Sequence, residues 1–264
     1  MKGDSRKLYA LSILLIAAFF ISGCVTQTGS RFSEITDKKS AVDKYTDLGL
    51  RYIQQGAPSK ARRPLKRALE LDPQSPDARN ALAILFQVEN EFELAEEYFL
   101  SALGFAPDRT KIRNNYAAFL FEQQRYSEAC EQLEITSKDA LYERRSAVYE
   151  NMGVCFLKVG RQDQALAAFD RAITINDAQP RALIEATAIY YERGDILTSS
   201  RYHKLYQQLV RLRQAPSSPR SLLLGVRLAR ANGEDDREAS YLLMLRSMFP
   251  QSEEYRAVSE SPRP

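Results

Sequence analysis

The feature that most constrains this chain is a 34-residue echo. Ala61, Ala68 and Pro73 return as Ala95, Ala102 and Pro107, each 34 residues later. Leu48, Gly49 and Tyr52, which follow Tyr45, are answered in the same register by Leu82, Ala83 and Phe86. Small residues at fixed points, large apolar residues between them and a closing proline describe a helix–turn–helix unit. Such a unit cannot bury its apolar face alone and must stack on its own copy.

Each position has a physical reason. Gly49 and Ala61 are small so that two helices pack closely, while Tyr45, Leu48, Tyr52 and Leu65 fill the space between them. Ala68 admits the next unit, and Asp72-Pro73 ends the second helix because proline lacks the backbone donor. This is the signature of the tetratricopeptide repeat (TPR). The predicted fold is all-α, a right-handed superhelical solenoid of about six TPR units near 42–75, 76–109, 110–143, 146–179, 180–213 and 219–252. The third unit has Thr136 and Leu141 where alanine and proline are expected, and the phase then slips by two residues. Unit five is weak, with Thr187, Ser199 and His203, and unit six is read from Gly233, Ala239 and Pro250 with one inserted residue in its turn. Gln214-Ala-Pro-Ser-Ser-Pro219 reads as an inter-repeat loop where the last pair could shift, and 253–264 as a flexible tail.

Residues 1–23 read as a signal peptide rather than fold. Lys2, Arg6 and Lys7 precede an apolar run, Leu8 to Ile21, too short for a membrane span. The run ends in Ile21-Ser22-Gly23-Cys24, which resembles the lipobox of bacterial lipoproteins. That resemblance implies cleavage behind Gly23, lipidation of Cys24 and, with Val25 following, sorting to the periplasmic face of the outer membrane. Residues 24–41 then read as the lipidated cysteine and a flexible tether.

Processing removes a net +2 from a chain of formal charge +3, leaving a nearly neutral protein and no compositional case for nucleic-acid binding. Cys130 and Cys155 remain, on the second helix of unit three and the first of unit four, which are neighbours in a TPR stack. In an oxidising compartment the pair predicts a disulfide worth roughly 3 kcal/mol, the alternative being two buried thiols.

The first helix of each TPR lines the concave face. Read in register, that face carries Leu50 and Ile53, then Asn80 and Ile84, then Asn114, Ala118 and Phe121. It continues with Val154, Leu157, Ile184, Ala188 and Tyr191. The lining predicts a groove for an apolar partner segment across units one to three, with asparagines for its backbone. Only Lys111 and Asn115 match the residues with which some TPR domains clamp a C-terminal carboxylate, so that mode is not expected. The single histidine, His203, lacks partners for catalysis. With no zinc spacing and no phosphate loop, the reading is a non-enzyme without metal, cofactor or small-molecule substrate.

Asp47-Leu-Gly-Leu-Arg-Tyr52, Ala61-Arg-Arg-Pro-Leu-Lys-Arg-Ala-Leu-Glu-Leu-Asp-Pro73, Asn80-Ala-Leu-Ala83 and Asn114-Asn-Tyr-Ala-Ala-Phe-Leu120 are similar to the first three repeats of the type IV pilus biogenesis/stability proteins, the TPR pilotins. The cysteine pair suits that family too. The resemblance implies an assembly factor that binds subunits of the outer-membrane secretin and promotes their localisation and multimerisation. The alternative is an outer-membrane TPR lipoprotein that scaffolds peptidoglycan enzymes.

Overall fold

A computed structural model describes residues 31–259; Cys24 and the signal segment lie outside the described residues. Among the described residues twelve helices form six antiparallel pairs: α1 (Arg31–Gln54) with α2 (Pro58–Leu71), α3 (Pro76–Val88) with α4 (Phe92–Phe105), and α5 (Thr110–Glu122) with α6 (Tyr126–Ser137). They continue with α7 (Arg145–Lys158) and α8 (Gln162–Ile175), α9 (Pro180–Glu192) and α10 (Ile196–Arg211), and α11 (Pro219–Ala231) and α12 (Asp235–Met248). A short α13 (Glu253–Ser259) follows. Each pair is one repeat, and the pairs stack into an all-α superhelical TPR solenoid.

The repeat is also written in the backbone. The turn between the two helices of a unit contains one residue of positive φ, at Gly56, Asn90, Gln124, Gly160 and Gly194. The first three lie 34 residues apart, the next step is 36, and the fourth is again 34. Only left-handed backbone closes this turn, which favours glycine; Asn90 and Gln124 adopt it at some cost. Close helix crossing explains the small residues. A Cβ on Gly49 would collide with Leu65, and one on Gly153 would lie 2.5 Å from Cδ1 of Phe169. Phe99, Phe119 and Phe169 lie at the centre of the core, essentially inaccessible to water.

The weak repeats keep the crossing by other means. In unit five Thr187 and Ser199 take the small positions, and the Ser199 hydroxyl donates to the Thr187 carbonyl at 2.7 Å. Unit six corrects the sequence reading. Ala239 is exposed; Glu238 occupies the buried crossing position instead, and no residue is inserted. Its carboxylate accepts from Arg230 at 3.0 Å, which satisfies a charge that the site would otherwise exclude.

Three further expectations change. The tether read through residue 41 is helical from Arg31, because no glycine or proline interrupts 31–48 and the docked half of α1 propagates backwards. Within the tail read as 253–264, α13 packs on α11 and α12, its start capped by Ser252, whose hydroxyl accepts from the Tyr255 N–H. The loop before α11 is pinned rather than a hinge. Ala215 is buried, Tyr206 donates to the Pro216 carbonyl at 2.7 Å, and Ser218 and Ser221 form a capping box.

Candidate peptide-binding groove

The inner helices α1, α3, α5, α7, α9 and α11 stack side by side. Hydrogen bonds between the inner helices of successive units fix their register. Asn115 donates to Asn80 at 3.1 Å, Gln87 to Glu122 at 2.6 Å and Arg220 to Glu185 at 2.7 Å, each pair 35 residues apart. On α7, Glu150 accepts from the free N–H of Ala182 in the first turn of α9.

This packing redistributes the residues read as groove. Asn80 is buried and its side-chain oxygen accepts from Asn115, which leaves its amide nitrogen alone for a partner's backbone. Leu50, Ile53, Ile84 and Phe121 are half-buried, packed on the core with one edge open. Asn114 is half-buried and Ala118 exposed. Farther along, Val154, Ile184 and Ala188 are buried, while Leu157 and Tyr191 remain half-buried.

Two of the recesses in the described surface bear on the units read as groove. One, of about 130 Å³, opens at the joint of units three and four, where Ala118 and Phe121 meet Ala117, Leu133 and Val154, with Glu122, Asn151 and Arg181 at its rim. The second, of about 900 Å³, lies between α1 and α2 and was not foreseen. Tyr45, Leu48, Tyr52 and Pro64 form its floor, and Lys60, Arg63, Lys66 and Arg67 its rim, with Glu70 paired to Arg67. The basic run Lys60 to Arg67 was its one signal in sequence, but periodicity alone does not show that those cations surround an open floor.

The joint of units three and four is built differently from the others. A disulfide joins Cys130 of α6 to Cys155 of α7, with Cα atoms 5.6 Å apart. The connecting loop 138–144 is held by Asp139, which accepts from the Thr110 hydroxyl at 2.6 Å and from the Leu141 N–H. Those bonds hold the Asp139 carboxyl below the usual carboxylate range.

Polar networks elsewhere brace the solenoid. Tyr190 and Tyr202 both donate to Asp170, at 2.7 and 2.9 Å, and burial raises both phenols above their ordinary pKa. His203 is buried between units five and six, its Nε2 2.9 Å from the Ser221 carbonyl and its ring edge-on to Tyr241. Burial lowers its pKa, so a neutral ring that fills space and donates one hydrogen bond is the form the site selects. Among the described residues no group of His, Cys, Asp or Glu is arranged to hold a metal ion.

Tetratricopeptide repeats match at residues 46–110 and 115–181. The type IV pilus assembly protein PilF of Pseudomonas aeruginosa is 38% identical over 247 residues, covering 93% of this chain and 96% of that protein. The chain belongs to the PilF family of TPR proteins. The solved structure of Pseudomonas aeruginosa PilF covers 85% of this chain and 99% of its own, with a TM-score of 0.78 at 38% identity. PilW, a widely conserved type IV pilus biogenesis factor, superposes with a TM-score of 0.66 at 28% identity, over 82% of this chain and 97% of that one. Membership of the PilF family thus rests on near full-length likeness, beyond the shared repeat.

Proposed function

We propose that the chain is an outer-membrane pilotin: a lipoprotein, anchored through Cys24, that binds secretin subunits and promotes their localisation and multimerisation in type IV pilus biogenesis. The observation that carries this is the 38% identity to a type IV pilus assembly protein across 93% of the chain. The lipobox supplies the address. Acyl chains contribute about 0.8 kcal/mol per buried methylene, so several on one residue give a stable anchor.

The solenoid supplies the hold, acting by protein–protein interaction and not by chemistry. Its inner face presents half-buried Leu50, Ile53, Ile84 and Phe121 and the open Ala118. An apolar partner side chain that leaves water there gains about 1.5–3 kcal/mol. A few such anchors retain an exported subunit without locking it, as a factor that hands subunits to an oligomer requires. Deletion of the gene tests the reading. Loss of heat-stable secretin multimers from the outer membrane, with loss of surface pili and twitching, is expected; normal levels of outer-membrane multimers would refute it.

A further inference from the structure

Contact between consecutive inner helices is thinnest between α5 and α7. At the same joint the outer helix α6 packs on α7 more extensively than any other outer helix packs on the inner helix that follows it. The two-residue phase slip, the Cys130–Cys155 bond and the 130 Å³ recess all fall at this joint, the recess lying where α5 and α7 face each other.

We propose that this recess is a specificity pocket for one apolar side chain of a partner segment that carries an acidic residue beside it. The floor is apolar: Ala118, Phe121, Leu133 and Val154. Apolar cavities of about 150 Å³ accept a benzene-sized group, so a leucine or phenylalanine side chain is of the right size. The rim decides the neighbour. Glu122 accepts from the neutral amide of Gln87, whereas the exposed side chains of Asn151 and Arg181 make no hydrogen bond or ion pair among the described residues. The rim therefore offers two unengaged donor side chains: an amide for a backbone carbonyl and a guanidinium for a carboxylate. A segment with two apolar neighbours would leave Arg181 unmatched, and a basic one would face that guanidinium with Glu122, already bonded to Gln87, as its one counter-charge.

This rests on the reading of the chain as a holder of partner segments, and not on which partner it holds. Random heptapeptides displayed on phage and selected on the immobilised full chain test it. Enrichment of a leucine, isoleucine or phenylalanine with Asp or Glu one or two residues away is expected. Ala118→Phe fills the recess from an exposed position and should weaken a synthetic consensus peptide at least tenfold with the helical circular dichroism unchanged. Arg181→Glu should change the selected acid to Lys or Arg. Absence of a common motif, or a motif that both variants select unchanged, overturns the proposal. If the peptide requires both residues yet Ala118→Phe cells make normal secretin multimers, the pocket stands and the secretin assignment falls.

Discussion

Replacing Gly153 by alanine measures how tightly the solenoid is built at its slipped joint. In α7 a new Cβ would lie 2.5 Å from Cδ1 and 2.8 Å from Cζ of Phe169, a ring with no exposed surface. Ordinary carbon contact begins near 3.4 Å, so helix or ring must move by about 1 Å, and Cys155 two residues on is tied to α6. Overpacking of this kind costs about 1–3 kcal/mol. The higher helix propensity of alanine returns up to about 1 kcal/mol. A net loss of about 1–2 kcal/mol is expected. Gly104, in α4, is the control, since a Cβ there meets nothing within 4 Å and alanine should add about 0.5–1 kcal/mol. Urea unfolding followed by far-ultraviolet circular dichroism reads both. The two variants should shift the midpoint in opposite directions. If Gly153→Ala is as stable as Gly104→Ala, the close crossing of α7 and α8 is not what selects glycine at position 153.

Gln124 holds a positive φ without being glycine, so Gln124→Gly should stabilise by about 0.5–1 kcal/mol, seen as a higher thermal midpoint. The disulfide closes a loop with a sequence separation of 25, and the chain-entropy relation gives about 3.5 kcal/mol; the Cys130→Ser/Cys155→Ser double variant should lose about that much, with hydrogen exchange accelerated first in α6 and α7. His203 has a folded pKa below its ordinary 6.5, so the unfolded chain binds its proton first as pH falls. Its contribution is therefore complete above about pH 6.5 and is lost progressively below it. His203→Gln should flatten that part of the stability–pH curve, and an unchanged slope would show that the ring is not buried neutral.

The fold was legible because a TPR places a small residue wherever helices cross and a breaker wherever one ends, and both are properties of single residues. That logic located all six pairs and the slip at 143–146. It failed where a position is filled by two cooperating residues. Glu238 at a crossing makes sense only with Arg230 beside it, eight positions away and on another helix. The groove was less legible for the same reason. A register argument puts Asn80 and Ala118 on one face, but Asn115 covers the first, and a gap between α5 and α7 exposes the second. The helical extension of α1 was missed because the polar residues 31–41 carry no apolar periodicity to announce it; the docked part of the helix extends it.

The central claim is that this solenoid holds secretin subunits at the outer membrane. Its most direct test is co-purification of the full chain, tagged at its C-terminus and extracted in mild detergent, from cells blocked in secretin oligomerisation. The account predicts recovery of secretin monomers in near-stoichiometric amount. Recovery of peptidoglycan enzymes with no secretin would contradict it.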